Sequence, residues 1–170
     1  MSYPYANVVQ LKKMLHNLDA WLGKAVDHAA AKGFDPNVLL SARLAPDQYA
    51  LVRQVQAACD SAKLAAARLS GREVPRHEDN EASVAELRAR ISSVTELLGT
   101  FTEADFAGVD QRIVTLPFAP GMVIDAPDYL VEMALPNCYF HLCMAYAILR
   151  HNGVDLGKRD LIGSLNLRPA

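Results

Sequence analysis

The chain has 170 residues, 51% of them hydrophobic and 21% charged, enough apolar material for one continuous core without disulfide staples. Its 17 basic and 19 acidic side chains leave a formal charge of −2 and no cluster of lysines and arginines, which excludes the electrostatic footprint of nucleic-acid binding. No apolar run approaches the roughly 20 residues of a membrane span, and "MSYPYANVVQLKKMLHNLDAW" lacks the basic and apolar regions of a secretory signal, so a cytoplasmic protein with no membrane partner is expected.

The first predicted element is a helix over residues 8–31, because Val8, Leu11, Leu15, Leu18, Leu22, Ala25 and Ala29 repeat at intervals of three and four, and Gly33 is a natural stop. The following "GFDPNVLLSARLA" reads as a loop that packs down onto the helices. A second helix is expected from near Pro46 to Gly71, with Val55, Cys59, Ala62, Ala66 and Leu69 on one face and enough alanine for close approach of a neighbour. The polar "REVPRHEDNEA" then reads as a connection with His77 in solvent.

Ser83 and Glu86 form a capping-box signature ahead of a third helix whose seam is Val84, Leu87, Ile91, Val94 and Leu98. Between Val109 and Leu130, the β-branched runs "RIVTL" and "MVI" flank a Pro-Gly pair and predict a two-stranded hairpin. A fourth helix is expected from close to Pro136 to the Asn152-Gly153 stop. The tail, with Leu156, Leu161, Ile162, Leu165 and Leu167, is expected to pack along the bundle or a partner subunit.

Within the fourth helix, "ALPNCYFHLCMAYAILRHNGV" is apolar almost throughout but places Asn137 and His141 one turn apart on one face. A buried imidazole needs a partner at each nitrogen or loses solvation, so the pair marks either a pocket between helices or a core histidine satisfied by a neighbouring acceptor. Cys138 and His141 share part of a face but fall short of the three protein ligands of a catalytic zinc. Gln56 and Asp60, one turn apart on the second helix, either complete a polar cluster with His141 or face solvent. His28, near Trp21 and Ala25, is a candidate for the same cavity, while His16 belongs to a polar face and His151 to the last turn of its helix, where it complements the dipole. Cys59, Cys138 and Cys143 form no C-x-x-C and read as buried free thiols in a reducing compartment. The phosphate-binding glycine loops and the G-x-S-x-G and H-E-x-x-H signatures are absent.

The blocks "LDAWLGKAVDHA", "ARLAPDQYALVRQVQAACDSAKLAAARLSG" and "ALPNCYFHLCMAYAILRHNGVDLGKRDLIG", with the hairpin between them, span nearly the whole chain. Together they resemble an uncharacterised bacterial domain-of-unknown-function family within the DinB/YfiT-like four-helix-bundle superfamily. The resemblance implies an all-α fold: a single DinB-like domain over residues 1–170, with a small β-hairpin inserted before the last long helix. It also implies a divalent-metal site of three histidines, one on the second helix and two at H-x-x-x-H on the fourth, which serves thiol-dependent transferase or isomerase chemistry in some relatives.

On that pattern the second histidine of the pair is His141, the first is replaced by Asn137, and the second-helix position falls near Gln56. Asn and Gln are weaker ligands than imidazole for Zn²⁺ or Ni²⁺, so no metal cofactor is expected; any residual divalent ion would rest on His141, Asn137 and Gln56, with Asp60 favouring a harder one. Cys138 stands where the relatives carry an aromatic residue. The expected remnant is a polar pocket of Gln56, Asp60, Asn137, His141 and His28 in a small-ligand-binding or structural homodimer. The alternative is a metal-dependent transferase or isomerase acting on a thiol conjugate or small metabolite, with His141 as ligand or general base.

Overall fold

Amphipathic periodicity carries through into four long helical stretches in the computed structural model, which describes residues 1–169. Helix α1 (Tyr3–Lys32) buries Leu11, Leu15, Leu18 and Leu22 along one stripe and ends on Gly33, whose φ of 75° is the left-handed stop expected there. The loop that follows contains a 3₁₀ turn, Pro36–Ser41, that buries Leu39 and Leu40 against the bundle. Helix α2 (Leu51–Ser70) begins later than Pro46 predicts. Pro46 instead sits inside a turn closed by the Gln48 amide on the Ala45 carbonyl at 3.1 Å, a conformation that suits its fixed φ equally well. Helix α3 (Val84–Gly99) starts with the expected capping box, Ser83 Oγ accepting from the Glu86 amide and the Glu86 carboxylate accepting from the Ser83 amide.

Strands β1 (Ile113–Thr115) and β2 (Val123–Asp125) pair antiparallel, Val114 opposite Ile124, and form the expected hairpin. The last long helix begins about one residue after β2 rather than at Pro136. It opens as α4 (Ala126–Asp128), passes through a π-helical turn, Tyr129–Ala134, and continues as α5 (Leu135–His151). Pro127 supplies the proline of the first turn. Pro136 has no N–H and its ring would clash with a carbonyl one turn back, and the wide turn, with Leu135 N bonded to Leu130 O, lies immediately before it.

Helix α2 packs against α5, α1 and α3 and so runs through the centre of one contiguous apolar cluster. After the Gly153 turn, Val154 and Leu156 are buried, and helix α6 (Lys158–Ile162) is latched to α1 where Trp21 Nε1 donates to the Asp160 carbonyl at 3.1 Å and Lys24 pairs with the Asp160 carboxylate at 2.6 Å. Leu165 and Leu167 remain exposed, so only the first half of the tail packs on the bundle. Among the described residues, no helix is long and apolar enough to cross a membrane.

Candidate functional site

The central position of α2 gives it two polar faces, and His141 meets the one that looks toward α5. Gln54 is fully buried and its Nε2 donates to the Tyr49 carbonyl at 3.1 Å, which turns Oε1 toward His141 Nδ1 at 2.8 Å. Since Oε1 can only accept, the imidazole proton is on Nδ1 and the Nε2 lone pair is left free. His141 is 8% exposed, and among the described residues Nε2 has no hydrogen-bond partner. Burial, and then the nearby Arg53 guanidinium, lowers its pKa below the ordinary histidine value, so the ring is neutral at neutral pH. The Tyr49 ring stacks on it with 6.5 Å between centroids and 16° between planes.

One turn back on α5, Asn137 Nδ2 donates to Ser61 Oγ at 2.6 Å, and Ser61 Oγ donates to the Ala57 carbonyl at 2.6 Å. These groups line a cavity of about 390 Å³ bounded by α2, the π turn with the start of α5, and Pro117 and Phe118 at the hairpin tip. At its far end Arg68 Nη1 donates to Tyr129 Oη at 3.0 Å, with the guanidinium 5.4 Å from the Tyr129 ring centroid. The hairpin and the π turn therefore serve as walls of this cavity.

The other polar face of α2 carries Gln56 and Asp60. Gln56 Nε2 donates to Glu81 at 2.8 Å and its Oε1 accepts from Arg53 at 3.4 Å, so Gln56 is held by the loop between α2 and α3 and does not join His141. Asp60 reaches the cavity rim, but Oδ1 lies 3.1 Å from Lys63 and 3.0 Å from Arg90 Nη2. That last contact is an ion pair off the hydrogen-bond line, for Nη2 makes no hydrogen bond despite its proximity. His77, expected in solvent, is half-buried instead: Nδ1 accepts from Lys63 Nζ at 2.9 Å and Nε2 faces Ser93 Oγ at 3.2 Å. His28 is also placed apart from His141. It packs edge-on against Phe34 at 5.8 Å between centroids and lines a shallow depression with Lys24, Asp27 and Asp155. Of the residues singled out in the sequence, the structure thus brings together His141 and Asn137, sets Asp60 at their rim, and separates Gln56 and His28 from them.

Gln54, Ser61 and Arg68 escape a reading that follows only apolar residues. A signal for them exists: they recur at intervals of seven along an alanine-rich helix, the spacing of one polar line down a single face.

A sequence profile described as a domain of unknown function, DUF1993, matches residues 5–162. The chain belongs to the DUF1993 family. A crystal structure of a DinB family member protein from Shewanella denitrificans is 47% identical, covers 96% of this chain and 93% of its own, and superposes with a TM-score of 0.92. No curated protein matches. The DUF1993 chain therefore has the DinB-like bundle, with its hairpin ahead of the last long helix.

Its donor set differs from the three-histidine site that the resemblance implies. His141 is one imidazole, Asn137 is tied to a serine hydroxyl, and the α2 groups facing them are Gln54, Ala57 and Ser61. Among the described residues, no group of three or more His, Cys, Asp or Glu side chains is placed to hold a metal ion. Neutral amides and a hydroxyl do not replace two imidazoles as ligands for a transition metal, so these residues do not fit such an ion. Cys138 does not supply the deficit. Its buried thiol, 3.7 Å from the Ala58 carbonyl, is pushed up to about 12 by burial, and that of Cys59 is likewise raised to about 12.

Proposed function

We propose that this DUF1993 protein is a metal-free small-ligand-binding protein, working as a homodimer, whose ligand occupies the cavity between α2, the π turn with α5, and the hairpin tip. The observation that carries this reading is His141: Gln54 fixes Nδ1, the ring lines the cavity, and among the described residues Nε2 has no hydrogen-bond partner. A core histidine with a purely structural role would have both nitrogens satisfied by protein. Replacing His141 with Leu tests the reading. Small molecules found by screening the unaltered protein should lose affinity for the variant, and unchanged affinity for all of them would sink it. Elemental analysis of the purified protein should find no stoichiometric zinc, nickel or manganese; one equivalent of metal that disappears in the His141 variant would contradict the metal-free reading.

The homodimer is supported by Val131 and Phe140, exposed on the last long helix, together with Leu165 and Leu167 of the tail. Light scattering should give about twice the 18.6 kDa of one chain; the mass of one chain would remove the dimer. The free thiols Cys59, Cys138 and Cys143 support a cytoplasmic setting.

A second reading has a specific observation in its favour. An imidazole held neutral and fixed in one tautomer is prepared to act as a general base through Nε2, as a transferase or isomerase working on a thiol conjugate or small metabolite requires. Turnover of such a substrate that is lost in His141→Gln, with ligand binding retained, would favour this reading over binding alone.

A further inference from the structure

We infer that the cavity takes a small organic anion: a carboxylate held by Arg68 and Tyr129 at one end, an apolar or aromatic body along the walls, and a hydrogen-bond donor meeting His141 Nε2 at the other end. This rests on the binding reading above and names its ligand class.

Three charged side chains line the cavity, and two of these have ion-pair partners: Asp60 with Lys63 and Arg90, and Arg53 with Asp79. Arg68 is the third, and among the described residues it has no carboxylate within ion-pair distance. Its half-buried guanidinium gives one N–H to Tyr129 Oη and keeps others to offer. Tyr129 adds to the same end. Burial raises its phenol above the ordinary value, so it stays protonated, and with its oxygen accepting from Arg68 the hydroxyl proton is free to point at an anion. A planar guanidinium beside a phenol O–H is suited to the two oxygens of a carboxylate.

The remaining walls decide what the carboxylate is attached to. Leu64, Met133, Pro117 and Phe118 line the middle of the cavity and offer nothing to a bare inorganic anion. At the opposite end His141 Nε2 is an acceptor, so the ligand must bring a hydroxyl or amine hydrogen there. Helical rise separates the levels of Tyr129 and His141 by roughly 18 Å, and side chains at both ends reduce the free length to a ligand on the order of 10 Å long. A cavity of about 390 Å³ holds a molecule of that length with an aromatic ring.

A matched set of probes tests this: p-hydroxyphenylpropionate, its uncharged amide, and phenylpropionate, each titrated while the His141 ring resonances and the arginine side-chain resonances are followed. In the unaltered protein the hydroxylated acid should bind about tenfold more tightly than its amide, the discrimination expected of one charge-assisted contact. Phenylpropionate should bind through Arg68 but shift His141 less. Arg68→Met should abolish the preference for the acid and leave affinity for the amide unchanged, and Arg68→Lys should restore part of it. Equal affinity for acid and amide, or a preference that survives Arg68→Met, overturns the anion assignment and leaves the pocket intact. If none of the probes moves the His141 resonances, the pocket reading falls along with it. Should Arg68→Met fail to fold, as judged by circular dichroism, the comparison of acid and amide in the unaltered protein decides the matter alone.

Discussion

On the loop-facing side of α2, Arg90 lies among carboxylates, 3.0 Å from Asp60, 2.9 Å from Asp79 and 2.9 Å from Glu81, and a fourth contact runs from Nη1 to the Glu78 carbonyl at 3.2 Å. On the α5-facing side the polar groups are a neutral imidazole, two amides, a serine and an arginine without a carboxylate. Both sets pack against α2, yet they end in different states. The first is matched in charge: Arg90 is paired with three carboxylates, although its Nε and Nη2 make no hydrogen bond, and it fixes the 72–82 connection to α2 and α3. The second holds His141, without a hydrogen bond at Nε2, and Arg68, without a carboxylate, and both residues line a cavity. Burying a polar group without a partner is costly, so open groups beside a cavity mark where something from outside the chain is accommodated, while a cluster whose charges already balance is a clamp.

The largest effect should come from breaking the charge-matched side. Burial opposes the charge on Arg90, and the surrounding Glu81, Asp60 and Asp79 carboxylates more than offset it, holding the guanidinium firmly protonated. Arg90→Met leaves those carboxylates facing one another without their shared cation and should cost about 3 kcal/mol in denaturant unfolding. The variant should still bind p-hydroxyphenylpropionate with unchanged affinity once folded, because Arg90 does not line that cavity. A loss of ligand affinity comparable to the loss of stability would show that the two faces of α2 act together.

A smaller effect is expected on the open side, where Gln54→Leu removes the acceptor that fixes His141. Leaving Nδ1 buried and unpartnered should destabilise the protein by about 1–2 kcal/mol. It also frees the imidazole to exchange tautomers, which ring-nitrogen chemical shifts record directly. A variant in which Nδ1 alone stays protonated would mean that Gln54 is not what orients the ring.

The bundle is legible because apolar periodicity is set by helix geometry; the stripe with a glycine or capping stop finds three of the four long helices and both bounds of α3, but not where α1 and α2 begin. Three starts are displaced: α1 opens at Tyr3 rather than at residue 8, ahead of its apolar stripe, and the other two share one cause. Pro46 and Pro136 both suit a first helical turn, but proline also suits a β-turn and tolerates a site just beyond a widened helix, and a local preference cannot choose among these. At the site, Asn137 and His141 were recognisable because polar residues are conspicuous on an apolar helix. The resemblance places Gln56 with them, which requires α2 to turn that residue toward α5. The helix instead turns Gln54 and Ser61 there, and the two-residue step from Gln54 to Gln56, about 200° around the helix, decides which amide a histidine meets. His77 was hidden for a different reason, since its burial comes from Lys63 and Ser93, distant in sequence and brought to it by the folded loop.

The smallest expected effect separates the two faces by acidity. His141 has its pKa lowered by burial and then by Arg53; His77 has its pKa lowered by burial, then by Lys63 and Arg90, with Asp60 and Glu81 acting in the opposite direction. Both folded values lie below the ordinary value of 6.5, so as pH falls the unfolded chain takes up protons first. Their contribution to stability is therefore complete above that value and is lost as pH falls through it toward the folded values. Melting temperature should drop as pH falls below 6.5, and His141→Gln and His77→Gln should each flatten that slope. A probe hydroxyl donating to His141 Nε2 favours the neutral ring, and nothing comparable reaches His77. With p-hydroxyphenylpropionate bound, the acid sensitivity removed by His141→Gln should grow and that removed by His77→Gln should stay the same. Equal changes in both would mean that the probe acts on the protein generally and not from the cavity.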